Sequence, residues 1–211
     1  MIPKLHYTSQ ANSTSAHLEN IQKACGSGAE LVQLDLEHIA VEEHLKLAQE
    51  VIKITAHFQT RLIIKSHYKI AHEIKADGIY LENTDICPSV ARSHLYPWQT
   101  IGATAHTLQE CETLLIKEVD YIGLGPFRTS KKTETKALGI DGYTAINEGL
   151  ETQTPLIGFG DITPEDVKGI LKTGVSGIAV ADAITQNFDL IKTFNQLLGA
   201  SSTEEMRHTF K

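Results

Sequence analysis

Side chains able to hold an anion crowd one stretch of the sequence. Arg128, Thr129, Ser130, Lys131 and Lys132, with Lys136 a little further on, follow directly behind Gly125-Pro126-Phe127. A glycine there lets the backbone approach a ligand closely. Guanidinium, ammonium and hydroxyl donors can each give a phosphate or pyrophosphate a charge-assisted hydrogen bond of roughly 1.5–3 kcal/mol. The same residues also suit a solvated basic loop. Elsewhere the polar residues come in short groups: Asp35 and Glu37; Lys65, Ser66 and His67; Glu82, Asn83 and Asp85; Thr104 and His106; Gly160 and Asp161; Ala181 and Asp182. Taken singly, each carboxylate fits a solvated loop, and Asp161 and Asp182 stand near helix starts, where a carboxylate complements the helix dipole. His67 and His106 read as loop or packing residues.

Each group directly follows a short apolar run. The runs cover residues 4–9, 31–36, 61–66, 78–81, 100–105, 121–125, 155–160 and 177–181, rich in Ile, Leu and Val and nearly continuous in apolar character. Strands of that kind are buried on both faces, as in a parallel sheet covered by helices. Amphipathic helical patterns separate them. Over residues 44–54, Leu45, Leu47, Ala48, Val51 and Ile52 form one stripe, with Glu50 and Lys53 outside it. The seventh helix is expected to start at Thr163, with Pro164, Glu165 and Asp166 in its first turn, and to end after Lys172 at Gly174. Eightfold strand–helix alternation in a chain of this length predicts a (β/α)8 TIM barrel, an α/β fold, with an open doubly wound sheet as the competitor. In such a barrel the segments after the strands form the mouth, so all the groups above are expected to converge there.

With 211 residues the chain fits one domain, expected over residues 1–200, followed by a polar tail over 201–211. The net charge of −7 argues against nucleic acid as a partner, because a phosphate backbone needs a basic surface. It leaves room for a small phosphate ligand, which needs only a few local cations. No apolar run approaches the ~18 residues of a membrane span. The opening residues enter a strand-like stretch rather than a signal-peptide apolar region, so a cytoplasmic location is expected. Cys25, Cys87 and Cys111 are odd in number and widely spaced, and read as reduced thiols.

Longer motifs add a resemblance. The segment Asp120-Tyr121-Ile122-Gly123-Leu124-Gly125-Pro126-Phe127, with Thr129 and the lysines, is similar to the sixth-strand signature of thiamine phosphate synthases. Gly158-Phe159-Gly160-Asp161-Ile162-Thr163-Pro164, then Gly174 and Gly177-Ile178-Ala179-Val180, resembles their seventh- and eighth-strand signature. Val32-Gln33-Leu34, Leu62-Ile63-Ile64, Asp77-Gly78-Ile79-Tyr80-Leu81 and Gly102-Ala103-Thr104-Ala105-His106 fall in the family's order. Each motif alone is weak; in register they cover nearly the whole chain. The resemblance implies a homodimeric barrel that joins hydroxymethylpyrimidine diphosphate to a thiazole phosphate, yielding thiamine phosphate and pyrophosphate with the help of Mg2+. It implies substrate contacts at Gln33, residues 35 and 37, Lys65, Ser66, Arg128, Thr129, Gly160, residue 161, Ala181 and residue 182. It further implies catalytic roles for Thr104 and for Lys131 or Lys132, and a metal contact at Asp85. The sister activity, thiazole tautomerase, is disfavoured, because those proteins carry a His where this chain has Pro126.

The departures fall on charged positions. Asp35 and Glu37 stand where the family has Arg and Lys that hold the diphosphate, and Lys65-Ser66 where it has Asn-Asp, the Asp binding metal. Thr104 replaces a Ser, Asp161 a Gly and Asp182 a Ser. Two unit charges about 4 Å apart interact by roughly 4 kcal/mol at an effective dielectric of 20. The exchanges therefore predict an impaired phosphate site, with an acidic mouth at strands 2, 7 and 8 and basic character near Lys65 and the sixth loop. The alternative is a catalytically degenerate paralogue that binds a small molecule or regulates.

Overall fold

A computed structural model describes residues 1–129 and 135–199. Lys131, Lys132 and the tail over 201–211 lie outside the described residues. The elements run β1 (Leu5–Ser9), α1 (Thr14–Gly26), β2 (Leu31–Leu34), α2 (Val41–Phe58), β3 (Arg61–Lys65), α3 (Tyr68–Glu73), β4 (Gly78–Leu81) and α4 (Pro88–His94). There follow β5 (Thr100–Ala105), α5 (Leu108–Ile116), β6 (Tyr121–Leu124), α6 (Gly139–Gly149), β7 (Leu156–Phe159), a 3-10 turn (Pro164–Asp166) leading into α7 (Val167–Lys172), β8 (Gly177–Val180), α8 (Asp182–Gln186) and α9 (Leu190–Leu197). The strands pair in parallel in sequence order, and β8 closes onto β1. The expected (β/α)8 barrel is therefore the observed fold, and the open sheet is ruled out. Among the described residues, no helix is long and apolar enough to cross a membrane.

Alternation along the strands separates two apolar layers. Val32, Leu34, Leu62, Ile64, Ile79 and Leu81 join the large core between sheet and helices. Their neighbours of opposite parity, Leu31, Ile63, Tyr80, Tyr121 and Ile157, pack together as a second cluster that fills the barrel. Large side chains in that interior stand against glycines. A Cβ on Gly102 would lie 2.1 Å from the Tyr121 ring, and one on Gly123 would lie 1.9 Å from the Tyr80 hydroxyl. The strand glycines are thus the space into which the two tyrosines fit.

Two local expectations are adjusted. The second helix spans Val41–Phe58, longer than the stripe first apparent over 44–54. Its entry lacks a side-chain cap, but Glu42 and Glu43 complement the positive end of the helix dipole in the first turn. The segment starting at Thr163 opens as a 3-10 turn, with the Asp166 carboxylate returning to the Thr163 N–H and hydroxyl, both at 2.9 Å. Gly174, at φ +89°, ends α7 as expected.

The Gly102–Tyr121 fit is testable. Gly102→Ala should destabilise the fold by about 1–3 kcal/mol, the usual cost of overpacking a filled core. Adding Tyr121→Leu should cost less in that background than in the parent, because there it also relieves the clash with the new Cβ. Urea unfolding of the four proteins measures both numbers.

Candidate functional site at the barrel mouth

Because every strand is parallel, the residues that follow them gather at one end of the barrel. Asp35, just beyond β2, is buried, and Lys65 is the last residue of β3. The Lys65 ammonium lies 2.8 Å from Asp35 Oδ2 and 2.7 Å from Glu82 Oε1. The Asp35 and Lys65 side chains are only 7% and 15% exposed, so water does little to screen this contact. The Glu37 N–H donates to Asp35 Oδ1 at 3.1 Å, and Gln10 Nε2 donates to Oδ2 at 3.4 Å. Burial by itself would push the Asp35 carboxyl up, but Lys65 and these donors hold it below the ordinary carboxylate value. Burial by itself would also push Lys65 down, and its two carboxylates hold it well above the ordinary ammonium value. Lys65 is therefore a fully protonated cation with its charge committed inside the protein.

The next turn places a second pair. Ser66 sits at φ +63°, in the left-handed region, with its N–H donating to the Tyr80 carbonyl. Its hydroxyl donates to Asp85 Oδ2 at 2.7 Å, and the Glu82 N–H donates to the same oxygen at 2.7 Å. Asp85 thus closes the loop after β4. Deeper in the barrel, the Thr104 hydroxyl donates to the Tyr80 hydroxyl at 2.8 Å, both side chains being buried. Burial holds the Tyr80 phenol up at about 12, against a smaller opposing effect of the Thr104 bond. Gln33 is also buried, on the same face of its segment as Asp35.

On the other side of the mouth, the loops after β6 and β7 are tied together. Phe127 N–H donates to the Phe159 carbonyl at 2.6 Å, and Arg128 N–H donates to the Gly160 carbonyl at 3.1 Å. Gly160 has φ +107°, and a Cβ there would lie 2.7 Å from the Phe127 nitrogen, so only glycine fits this approach. Asp161 follows, also left-handed at φ +50°, shortly before the helical turn that starts at Pro164. The Arg128 guanidinium donates to both Asp166 oxygens and, at 2.9 Å, to the Asp161 carbonyl. Arg128 is therefore engaged as a strut between two loops. Thr129, Asp161, Asp182 and Glu37 are exposed, and Ala181 is half-buried at the entry to α8. Sequence reasoning named most of these residues but missed the partners that occupy them: Glu82 and Gln10 at the acidic pair, Tyr80 under Thr104, and Asp166 on Arg128. Asp166 had a visible signal, an acidic residue three positions after Thr163.

The resemblance implies Mg2+. Among the described residues no cluster of three or more His, Cys, Asp or Glu is placed to hold a metal ion. Asp85 is the remaining metal-type carboxylate, and one of its oxygens already accepts two hydrogen bonds. The residues present do not form a ready two-carboxylate metal site.

A (β/α)8 barrel with its charged and hydroxyl residues collected at the carboxyl ends of the strands is the class that fold and site define together. The sequence comparisons specify the family. The family described as thiamine monophosphate synthase matches residues 7–184. A thiamine-phosphate synthase of Flavobacterium psychrophilum is 34% identical over 94% of this chain and 100% of its own length. One from Clostridium novyi is 33% identical over 82% of this chain and 84% of its own. Among solved structures, a thiamine phosphate pyrophosphorylase from Pyrococcus furiosus superposes with a TM-score of 0.82, at 24% identity, over 93% of this chain and 95% of that one. At that identity the superposition speaks for the fold. The chain belongs to the thiamine monophosphate synthase family.

The Asp35–Lys65 pair makes a prediction with a defined sign. Because the folded Asp35 value lies below its ordinary 3.8, its contribution to stability is present above that pH and is lost as pH falls through the folded value. Lys65→Met leaves burial as the dominant influence and should lift Asp35 above 3.8. The variant should lose about 3 kcal/mol at neutral pH and regain part of it on mild acidification, while the parent's Asp35 contribution stays constant until the pH falls below 3.8. Urea unfolding between pH 3.5 and 7 distinguishes the two slopes.

Proposed function

We propose that this chain is a diverged thiamine phosphate synthase. It takes hydroxymethylpyrimidine diphosphate and a thiazole phosphate at the barrel mouth, with a diphosphate site too weakened for the rates typical of enzymes (~1–1000 per second). Negative charge grows on the pyrophosphate as it leaves, so the reaction needs cations aimed at that group. The observation that carries the reading is the clamp on Lys65: its charge is already met by Asp35 and Glu82. Arg128 is spent in the same way on Asp166. Gln33, Thr104 and Asp85 supply what remains of the family's contacts, Gly160 and Ala181 face the thiazole phosphate, and Lys131 and Lys132 are the proposed contacts to the diphosphate. No step is assigned to a metal. A homodimer, working in the cytoplasm on small phosphorylated ligands, belongs to the same reading.

A second reading is favoured by the same clamp. A mouth whose cations Lys65 and Arg128 are internally neutralised, with Glu37, Asp161 and Asp182 exposed around it, suits a binding or regulatory protein whose ligand lacks phosphate. Thiazole tautomerase is supported by neither the sequence nor the mouth, since Pro126 holds the place of the expected His.

The assay is thiamine phosphate formation, with calorimetry for each ligand. The unmodified chain should bind the diphosphate more weakly than 10 µM, an affinity of about 7 kcal/mol. Asp35→Asn, which frees Lys65 from one carboxylate, should tighten it by roughly tenfold, or about 1.4 kcal/mol. Turnover by the parent within the typical enzymatic range would refute the impaired-site reading; no binding of either phosphate ligand by any variant would favour the binding-protein reading.

A further inference from the structure

Beneath the mouth, Gln33 is held by a hydrogen-bonded chain whose far end, His6, the proposed reaction does not use. His6, on β1, is fully buried inside the barrel, with Tyr121 edge-on at a centroid distance of 5.1 Å. Its Nε2 lies 3.1 Å from the Pro3 carbonyl, and its Nδ1 lies 3.1 Å from Gln33 Nε2. On the other side of the same amide, the Thr8 hydroxyl lies 3.2 Å from Gln33 Oε1. Thr8 and Gln33 are register partners across β1 and β2.

These contacts leave one consistent set of proton positions. The Pro3 carbonyl can only accept, so Nε2 carries the hydrogen. A neutral imidazole then offers a bare Nδ1, which can only accept, and the Gln33 NH2 must face it. The Gln33 oxygen is left for the Thr8 hydroxyl to donate to. Reversing the amide would put oxygen against a lone pair and NH2 against the hydroxyl. We propose that His6 is a positioning residue: through Nδ1 it fixes the orientation of the Gln33 amide and so decides which of its donors and acceptors remain for a ligand. After these contacts Gln33 keeps one N–H and one lone pair, shared between the buried Tyr121 hydroxyl beside the amide and a ligand such as the edge of an amino-substituted nitrogen heterocycle. The assignment of Gln33 to ligand binding rests on the reading above; the assignment of His6 does not. Burial holds the His6 imidazole down at about 4, outweighing the Pro3 bond. The ring therefore stays neutral across the physiological range, and its directional role is constant.

Three variants separate positioning from packing. Asn places its polar atoms where Nδ1 stood, Gln where Nε2 stood, and Phe keeps only the ring. His6→Asn retains the acceptor for Gln33, whereas His6→Gln and His6→Phe lose it. The first readout needs no ligand: nitrogen-15 NMR should show His6 protonated at Nε2, and resolved Gln33 side-chain amide protons that persist in His6→Asn and average out in His6→Gln. The second is calorimetry with hydroxymethylpyrimidine itself, which lacks the diphosphate and so bypasses the Lys65 clamp. Affinity should stay within threefold in His6→Asn and fall at least tenfold in His6→Gln, although both lose thermal stability. An Nδ1-protonated ring, or losses in Asn and Gln that track stability alone, would overturn the proposal. If the unmodified chain fails to bind the pyrimidine while the NMR signatures hold, the functional reading of the mouth falls and the role of His6 stands.

Discussion

The Lys65 ammonium cannot be buried without a counter-charge, and much of the mouth follows from that requirement. Removing a charge from water costs several kcal/mol even after relaxation, and a partner must offset it. Asp35 and Glu82 supply the offset at 2.8 and 2.7 Å. In doing so they join the segments after β2, β3 and β4 at one point. Asp35 is itself held by the Glu37 N–H, and the Glu82 N–H is held by Asp85, which also receives the Ser66 hydroxyl. One side of the mouth is thus a polar network in which the carboxylates of Asp35, Glu82 and Asp85 each have a structural partner.

The same side would have to receive a diphosphate. An incoming anion gains from Lys65 only what it can take from Asp35 and Glu82, and those two carboxylates repel it. The opposite side repeats the pattern in a different geometry, because Arg128 bridges two loops through Asp166 and the Asp161 carbonyl. A cation that stabilises the protein's own loops is a poor reserve for a leaving group, since moving it would break contacts that hold the site together. Charge count alone misses this point. The question is which cations are uncommitted, and that depends on partners far apart in sequence: 30 residues for Asp35 and Lys65, and 38 for Arg128 and Asp166.

That separation explains what could be read in advance. The barrel was legible because doubly buried strands are locally apolar, and each recurs ahead of an amphipathic helix. The gathering of these residues at one end of the barrel was legible because parallel strands put all their carboxyl ends together. The contact of Tyr80 with Thr104, the reach of Arg128 to Asp166 and the partnership of His6 with Gln33 were not legible, for a common reason. Strand alternation shows that His6 and Tyr80 occupy alternating positions but not which neighbour fills the space opposite. The fit of Tyr80 over Gly123 and of Tyr121 over Gly102 depends on the register between strands, which the sequence carries only collectively. Asp161 shows a local limit: the sequence places it near the start of the seventh helix, but its left-handed conformation follows Gly160, where the Phe127 backbone approaches from another loop.

The barrel interior and the mouth are therefore one mechanical system. Tyr80 packs against the glycine gap at Gly123, its hydroxyl receives the Thr104 hydroxyl, and its carbonyl accepts from Ser66. A single strand residue thus couples the filled interior to the hydroxyl at the end of β5 and to the turn that presents Ser66 to Asp85. Polar groups buried this deeply are tolerated only when satisfied, so each contact restricts the rotamers of the next. Such a site has little freedom to repack around a ligand of a different charge. The charges of Asp35, Lys65 and Glu82 are met within this one network, so a change at any of the three would leave an uncompensated charge beside the filled barrel.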